Sequence, residues 1–496
     1  MLNLPHELYT AEQTRELDRI VTEKHNISSA KLMARAGAAA LERIKNHWPQ
    51  AERILVVCGT GNNGGDGFEL ARQALAKDYR VVVYEVGSAG KMSEETAAAR
   101  EAVVATGTEI HQFEDKLPST DVLVDALLGT GLSREVTGIY ARAIDAINKS
   151  TRIPVLSLDI PSGIHADTGR ALGIAVRATI TLSFLGLNKG LFTGEGPNYC
   201  GTVCFDALKV PSAIYKEFTP IARRVSLEND AAAGLAPRER TGHKGLYGHL
   251  LIIGGDHGMP GAARVAAEAG ARVGAGLTSI ATRSAHGPTL NLARPELMCY
   301  GVEHPDDLDP LVRPANALTV GPGLGQTSWG KSLFQKAIET NLPMVVDADA
   351  LNLLSKNPQR HDNWILTPHP GEAARLLGCT SDDIQADRFA AVQKLHDRYG
   401  GIIVLKGSGT LIYGGEAPTR LSTWGNPGMG SGGMGDALAG VIGGLLAQHF
   451  TLMDAACVGV TLHGMAADKA AEQDGERGML AMDLMPHLRH LANLKY

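Results

Sequence analysis

Long apolar runs and closely spaced cysteines are scarce in this chain of 496 residues. The longest apolar run, near residues 437–447, is shorter than the ~18 residues that a bilayer-spanning helix needs. The N-terminus has no basic region followed by an apolar core, so we expect no secretory signal, no membrane attachment and a cytoplasmic location. The six cysteines lack zinc or disulfide spacing. Cys200 and Cys204, the only close pair, lie in a strand-like segment and are predicted to be buried, reduced thiols.

Clusters of basic residues are missing as well. The formal net charge is −6, and no run of lysine and arginine supplies the basic surface that a general nucleic-acid binder needs. A hydrophobic content of 44% with 20% charged residues is ordinary for a globular protein. At about 100–200 residues per domain, the length predicts at least two domains.

The first half of the chain alternates short apolar runs with helical segments. Two helices come first: one follows a capping box at Thr10 and Gln13, and the other covers residues 29–45. The apolar runs then predict strands at residues 54–58, 81–86, 122–125, 154–159, 179–184 and 202–205. This alternation is typical of a mainly parallel, doubly wound sheet, which binds ligands beyond the carboxyl ends of its strands.

The second half repeats the same type of pattern. Periodicity fades and charges collect at residues 216–244, so we place a linker there and divide the chain into domains at 1–220 and 221–496. Further strands are predicted at residues 249–253, 277–281, 317–320, 344–347, 364–366 and 402–405, with a helix at 261–273. The second domain is therefore also expected to be α/β.

A glycine-rich loop follows the first strand of the first domain. Residues 59–64 match G-x-G-x-x-G, and Glu85 ends the next strand where a ribose-binding acid belongs, a pattern that alone predicts a nicotinamide dinucleotide. However, Asn62, Asn63 and Asp66 place polar side chains where a dehydrogenase mostly needs bare backbone. The loop therefore indicates more than pyrophosphate binding, and an ordinary dehydrogenase fits it poorly.

Two later loops of the first domain carry further polar groups. Asp125 precedes a second glycine loop at residues 128–135, in which Arg134 suits a phosphate, and Asp159 begins a segment that runs to Gly163. Both carboxylates come at strand ends and should face one crevice. Capping of strand-end turns is the alternative explanation for each of them.

These loops, with Leu32, Met33, Ala36 and Gly37 upstream, resemble those of NAD(P)H-hydrate epimerases. The resemblance implies a Rossmann-like sheet, Asp159 as the catalytic acid/base and Lys189 as a possible helper. It also implies K⁺ bound by oxygens of Asn63, Asp125 and Ser162, which suit an alkali cation. The residues expected to bind the hydrated dinucleotide are Asn62, Asn63, Gly64, Gly65, Asp66, Gly129, Thr130, Gly131, Leu132, Ser133, Arg134, Glu135 and Asp159.

The second domain contains the densest glycine loop of the chain. Six glycines lie between Gly425 and Gly435, and apolar residues with helical spacing follow Asp436. Such a loop can direct backbone N–H groups and a helix N-terminus at a phosphate. Asp436 would stand beside it as a base for a hydroxyl that attacks a phosphoryl group. A flexible loop with an N-terminal helix aspartate is the alternative.

Three other segments should end strands near this loop: residues 321–325, 367–372 and 406–410. Lys406 with the hydroxyls of Ser408 and Thr410 suits nucleotide phosphates, whereas the absence of a Walker A sequence argues against a P-loop NTPase. His369 is flanked by prolines, and both a substrate contact and a structural turn residue stay open for it.

With the sequence His-Lys-Gly at 243–245, these segments resemble ADP-dependent NAD(P)H-hydrate dehydratases of the ribokinase-like fold. The resemblance implies that ADP, with Mg²⁺, phosphorylates the C6 hydroxyl of the hydrate, and that loss of phosphate restores the reduced cofactor with AMP as coproduct. Asp436 would be the catalytic base, and residues 432–435 the anion hole. The adenine nucleotide would contact Lys406, Gly407, Ser408, Gly409, Thr410, Gly432, Gly433 and Gly435, and the hydrate Ala262, Gly323, His369 and Asp436.

Both resemblances point to one metabolite, and together they cover roughly residues 10–490. Gly430 and Ser431 stand where many relatives have alanine and threonine, a change that should keep the loop shape. We therefore expect a bifunctional repair enzyme, a homo-oligomer that binds hydrated NADH or NADPH and ADP. One alternative is an ATP-dependent kinase of a small alcohol, such as a vitamin precursor, with a regulatory dinucleotide-binding domain. In another, the first domain only senses a dinucleotide or a partner protein.

Overall fold

The computed structural model describes residues 4–88, 90, 92–217, 219–227, 235–292 and 294–493. The chain divides into two compact units, Met1–Arg223 and Arg224–Tyr496. Of the predicted linker at 216–244, residues 218 and 228–234 lie outside the described part. In that part, no helix is long and apolar enough to cross a membrane.

The first unit is built around a parallel sheet of seven strands, in the order β4-β3-β2-β5-β6-β7-β8. A short strand pair, β1 with β9, is antiparallel. In chain order the elements are β1 (Glu7–Leu8), α1 (Ala11–His25), α2 (Ser29–His47), β2 (Arg53–Cys58), α3 (Asn62–Leu75), β3 (Arg80–Glu85), α4 (Glu94–Val104), β4 (Ile110–Gln112), β5 (Val122–Ala126), α5 (Gly138–Lys149), β6 (Val155–Leu158), β7 (Ile180–Phe184), β8 (Thr202–Asp206) and β9 (Ala222–Arg224).

The core of this unit lies on both faces of the sheet. Along β2, Ile54 and Val56 belong to one apolar cluster, whereas Leu55 and Val57 belong to another. Successive side chains of a strand point to opposite faces, so a strand covered on both sides reads as a continuous apolar run. The chain leaves β2 towards β3 and returns to the other side of β2 at β5, which makes the carboxyl ends of β2 and β5 the switch point.

The second unit has a mixed sheet, in which the strands follow the order β18-β17-β16-β15-β14-β13-β10-β11-β12. Pairing is parallel from β16 to β12 and antiparallel at β16, β17 and β18. The elements are β10 (His249–Ile253), α6 (Pro260–Arg272), β11 (Leu277–Thr282), α7 (Gly287–Leu290), β12 (Met298–Gly301), α8 (Asp309–Val312), β13 (Ala317–Val320), α9 (Ser328–Ile338), β14 (Met344–Val346), α10 (Ala348–Lys356), β15 (Trp364–Leu366), α11 (Pro370–Leu377), α12 (Ser381–Ala386), α13 (Arg388–Tyr399), β16 (Ile402–Leu405), β17 (Thr410–Tyr413), β18 (Thr419–Ser422), α14 (Met434–Ala447), α15 (Leu452–Asp474) and α16 (Leu484–Leu491).

Helix α14 is the central helix of the second unit. Every residue at positions 437–447 is buried, so the helix packs on all sides rather than on one stripe. Its glycines permit close contact with α6, because a Cβ added at Gly440 would lie 1.9 Å from the carbonyl oxygen of Ala266. This packing fixes the N-terminus of α14, where Asp436 lies.

The predicted α/β fold of both halves is confirmed, and each predicted strand is present. Six short strands were missed: β1, β4, β9, β12, β17 and β18.

Candidate active sites of the two units

The glycine loop after β2 lies at the switch point of the first unit. Two of its glycines are required by close approach of the backbone: a Cβ at Gly59 would lie 1.9 Å from the Leu127 carbonyl oxygen, and one at Gly64 would lie 2.0 Å from the Gly59 carbonyl oxygen. Gly61 then caps α3 without a side-chain hydrogen bond. The loops after β2 and β5 are thereby packed against each other.

A cavity of about 1230 Å³ opens beside these loops. Most of the predicted substrate-binding residues line it, namely Asn62, Asn63, Asp66, Gly129, Thr130, Gly131, Leu132, Ser133, Arg134, Glu135 and Asp159. Gly64 and Gly65 are not among its lining residues; both are buried in the first turn of α3. Their predicted direct contact with substrate therefore has no geometric support.

Asp125 and Ser162 form a buried hydrogen-bonded pair at the ends of β5 and β6. The Ser162 hydroxyl donates to Asp125 Oδ1 at 2.5 Å, and the Ser162 N–H donates to Oδ2 at 2.9 Å. Ser157 Oγ also donates to Oδ2, at 2.7 Å. Burial raises the pKa of Asp125, although these hydrogen bonds oppose the shift.

Asn63 contributes a polar side chain that lacks hydrogen-bond partners among the described residues. It is 6% exposed, and neither its amide oxygen nor its amide nitrogen is bonded. An unpartnered buried amide costs about 1–3 kcal/mol. A Cβ added at Gly129 would lie 3.3 Å from Asn63 Cβ and 2.9 Å from Asp159 Oδ2, so Asn63 and Asp159 flank the same glycine. The side-chain amide of Asn63 is therefore available to bind a ligand.

Asp159 adopts an uncommon backbone conformation for a residue with a side chain. Its φ is +65°, a left-handed value that favours glycine, and its Oδ2 accepts a hydrogen bond of 3.0 Å from the Thr130 N–H. Burial raises its pKa. A strained, partly buried carboxyl in a cavity is a functional-site candidate.

Two further carboxylates line the same cavity. Burial, and then the charge of Asp159, raises the pKa of Asp18 on α1 to about 6. Burial, then Asp159 and Asp18, raises the pKa of Asp66 on α3 well above its usual range. Sequence reasoning missed Asp18. Its only signal was a polar stripe on α1 formed by Thr14, Asp18 and Thr22, a pattern that normally indicates a solvated face.

Two other acid and base candidates of the first unit are placed away from this cavity. Glu85 is fully buried, and its carboxylate pairs with Arg100 at 2.6 Å, so the ribose-binding role was wrong. Lys189 is buried in a short 3₁₀ helix and is not among the residues that line the cavity. The helper role of Lys189 has no geometric support.

In the second unit, the densest glycine loop is anchored rather than loose. The Gly425 N–H and the Asn426 amide both donate to the carboxylate of Asp468, at 3.0 and 2.9 Å. Gly433 precedes α14 with φ +89° and provides no side-chain cap, and Ser431 Oγ is buried without a hydrogen-bond partner. An uncapped helix N-terminus with an unpartnered hydroxyl can hold an anion.

Charged groups meet at the start of α14. The Lys406 ammonium lies 2.8 Å from Asp347 Oδ1 and 3.7 Å from Glu372 Oε2. Burial, followed by the charge of Asp347, raises the pKa of Asp436 to about 7, while Lys406 opposes the shift. A carboxyl with such a pKa can exchange a proton near neutral pH. Asp347 and Glu372 were not among the site residues predicted from the sequence.

The remaining residues predicted to contact the hydrate lie in two places. A Cβ at Gly323 would lie 3.2 Å from Ala262 Cβ, so these two residues are adjacent. His369 caps α11: its Nδ1 accepts hydrogen bonds from the N–H groups of Gly371 and Glu372, which gives it the structural turn role left open above. The ring remains half exposed, and burial lowers its pKa.

The nucleotide loop at residues 406–410 rests on a buried arginine that sequence reasoning missed. Arg388 Nη2 donates to the carbonyl oxygens of Leu405, Lys406 and Gly409 at 3.2 to 3.3 Å. Gly407 and Ser408 are exposed above it. The loop is therefore fixed by the side chain of Arg388, which lies outside the loop's own sequence.

Comparison with known proteins identifies both units. Residues 29–190 match a family described as YjeF-related protein N-terminus, and residues 250–489 match a family described as NAD(P)H-hydrate dehydratase. The bifunctional NAD(P)H-hydrate repair enzyme Nnr of Coxiella burnetii is 49% identical over 98% of this chain and 99% of its own length. The Escherichia coli enzyme of the same name is 43% identical over 99% of this chain and 95% of its own.

The fold of the second unit has a solved counterpart. A ribokinase-like superfamily protein from Enterococcus faecalis V583 has a TM-score of 0.51 and 28% identity, covering 55% of this chain and 96% of that chain. This likeness concerns the second unit, whereas the relatives match the chain over both units. The chain belongs to the family of bifunctional NAD(P)H-hydrate repair enzymes, with an epimerase domain followed by a ribokinase-like dehydratase domain.

Proposed function

We propose that the second unit dehydrates the S epimer of hydrated NADH or NADPH by phosphorylating its C6 hydroxyl. The observation that carries this proposal is Asp436, a carboxyl in the first turn of α14 whose pKa is raised to about 7. At neutral pH a substantial fraction is ionised and ready to accept a proton. The uncapped N–H groups of residues 432–435 precede it, where a transferring phosphoryl group would carry negative charge.

The chemistry balances with ADP as the donor. Asp436 takes the proton of the C6 hydroxyl while that oxygen attacks the β-phosphorus, and the bond to the bridging oxygen breaks to release AMP. Phosphate is a better leaving group than hydroxide. The C6–O bond then breaks, C5 loses a proton, and the C5–C6 double bond of the reduced cofactor returns. Mg²⁺ would neutralise phosphate charge in the first step.

The nucleotide would lie on the loop of residues 406–410 and at Gly432, Gly433 and Gly435. Gly407 and Ser408 are both exposed, which supports this proposal. Ala262 and Gly323, which are adjacent, and His369 would contact the hydrate.

The test is to incubate the purified chain with S-hydrate, Mg²⁺ and either ADP or ATP. We expect NADH, AMP and phosphate in equal amounts from ADP. A stable phosphorylated product, or no NADH with either nucleotide, would refute the proposed reaction.

We further propose that the first unit interconverts the R and S hydrates, with Asp159 as the acid/base. Its place on the wall of the large cavity, beside the Thr130 N–H, supports this role. Arg134, on the same wall, would bind a phosphate of the dinucleotide.

K⁺ is proposed to bind at Asn63, Asp125 and Ser162. The buried Asn63 amide oxygen has no other partner in the described part of the chain, and the hard oxygens of all three residues suit an alkali cation. K⁺ would supply positive charge for the dinucleotide phosphates. Replacing K⁺ by tetramethylammonium should slow epimerisation without affecting dehydration of pure S-hydrate; an unchanged epimerisation rate would refute the K⁺ assignment.

We also propose a cytoplasmic homo-oligomer. The six cysteines are free, and Cys58, Cys200, Cys204 and Cys457 are buried, which suits a reducing compartment. Light scattering of the purified chain tests its oligomeric state.

A further inference from the structure

Asp347 is a buried carboxylate to which no motif assigns a role. It follows β14 directly and is 1% exposed. Its Oδ1 accepts a hydrogen bond of 2.7 Å from Thr367 Oγ1 and forms the 2.8 Å ion pair with Lys406. Strands β14, β15 and β16 are neighbours in the sheet, and these three residues follow their carboxyl ends. Parallel pairing therefore gathers them at one edge.

The ion pair of Asp347 and Lys406 lies next to the first turn of α14. A Cβ added at Gly435 would lie 3.3 Å from Lys406 Nζ and 3.7 Å from Asp347 Oδ2. Gly435 is the residue before Asp436. The ammonium of Lys406 is thus held beside the base and the uncapped helix N-terminus.

A lysine in this position needs a partner to stay there. Its flexible stem loses rotamer entropy when it is fixed. A buried ammonium without a paired carboxylate is strongly disfavoured. Asp347 is the nearer of the two carboxylates around Lys406, since Glu372 lies 0.9 Å further away by the same measure.

Four charged side chains of the described residues have the largest effects on the pKa of Asp436. Asp347, Asp349 and Glu372 raise its pKa, and Lys406 lowers it. Loss of the charge of Asp347 would lower the pKa of Asp436 in two ways. It would remove a negative neighbour, and it would leave the positive charge of Lys406 less neutralised. Both effects favour the ionised form of Asp436 at lower pH.

Two helices packed against α14 carry further titratable groups among the described residues. His463 on α15 stays neutral at working pH because burial and Lys406 lower its pKa to about 4. On α6, Glu268 pairs with Arg264 and Arg272 of the same helix and with Arg294, and none of these groups is among the charges that shift the pKa of Asp436 most.

We propose that Asp347 is a positioning residue of the dehydratase site: it fixes the Lys406 ammonium where that group meets the nucleotide phosphates, and it keeps the surroundings of Asp436 negative. This inference rests on the proposed phosphoryl transfer. The ammonium then enters the site already oriented, and Asp436 keeps a proton affinity that suits a hydroxyl.

Two substitutions in the full chain separate these effects, with S-hydrate, ADP and Mg²⁺ as substrates and NADH formation as the readout. Asp347→Asn should move the acidic limb of the kcat–pH profile down by about one unit. It should also raise KM for ADP by about tenfold, because Lys406 loses its charged partner. Asp347→Glu keeps the charge but displaces it, so the limb should stay in place while KM for ADP still rises.

Asp349→Asn is the matched control. Asp349 also faces Asp436, but its contacts are the Gly325 N–H, Gln326 and Asn352 rather than Lys406. The acidic limb should move down with KM for ADP unchanged.

An Asp347→Asn enzyme with an unmoved acidic limb, or with kcat lowered equally at every pH and an unchanged KM for ADP, would overturn the proposal. If this variant does not fold, Thr367→Val removes only the hydroxyl that holds Asp347, and an unchanged KM for ADP would overturn it equally. Failure of the wild-type chain to form NADH would instead refute the proposed reaction itself.

Discussion

The raised pKa of Asp436 predicts that this residue destabilises the fold at the pH where it works. The pKa of the carboxyl rises from 3.8 to about 7 on folding. At neutral pH the carboxyl is ionised in the unfolded chain, and placing that charge in the folded protein costs free energy. For an acid with a raised folded pKa, the stability of the protein falls as pH rises from the unfolded value to the folded value, and levels off above it. At 1.36 kcal/mol per unit the cost above pH 7 is about 4 kcal/mol. Asp436→Asn removes this cost.

We therefore expect Asp436→Asn to be inactive as a dehydratase yet more stable than wild type at pH 8, by about 4 kcal/mol, with a difference below about 1 kcal/mol at pH 4. Thermal unfolding followed by tryptophan fluorescence measures this, because three of the four tryptophans, Trp329, Trp364 and Trp424, belong to the second unit. The pH dependence is the decisive control, since a packing effect of the amide would be the same at both pH values. Equal stabilisation at pH 4 and pH 8, or destabilisation at pH 8, would refute the reasoning.

Three other outcomes are expected. Asp159→Asn should abolish epimerisation, while pure S-hydrate is still dehydrated. With a mixed R and S preparation, the NADH yield should therefore stop at the S fraction, and continued conversion of the R form would contradict the role of Asp159. Gly440→Ala should destabilise the second unit by about 3 kcal/mol, because its methyl group would overlap the Ala266 carbonyl oxygen, and an unchanged unfolding midpoint would contradict the packing described for α14. Arg388→Lys should raise KM for ADP, because a lysine lacks the planar guanidinium that bonds the loop carbonyl oxygens through Nη2 and Gln385 through Nη1. An effect confined to KM for the hydrate would assign Arg388 another role.

The sequence predicted the two α/β halves because their central strands are covered on both faces. A strand such as β2 must then be a continuous apolar run, which is visible without a structure. The missed strands are edge or hairpin strands: β12 is only partly buried, and β1 has two residues. Such segments form because a neighbour offers hydrogen bonds, so their own residues carry little signal.

The family and the bifunctional activity predicted from the loops are confirmed by the relatives. The residue assignments within those loops remain predictions. Sequence reasoning found residues in glycine-rich motifs, because close backbone approach restricts the residue type at each position. It missed Asp18, Asp347 and Arg388, which come from a helix face, a strand end and a helix start far along the chain. Only the folded sheet brings such residues to a site, so no local spacing marks them.

In each unit, a carboxyl group lies in a position that lowers the stability of the folded state. Asp159 combines a left-handed φ with burial, and Asp436 is buried among like charges. Each arrangement costs stability, and each is held by rigid surroundings: the Thr130 N–H for Asp159, and the close packing of α14 against α6 for Asp436. A proton acceptor that relaxed into water would recover an ordinary pKa, near 4, and would be a poor base for a hydroxyl. Packing far from the reacting atoms therefore contributes directly to the chemistry, because the glycines of α14 determine where Asp436 can lie.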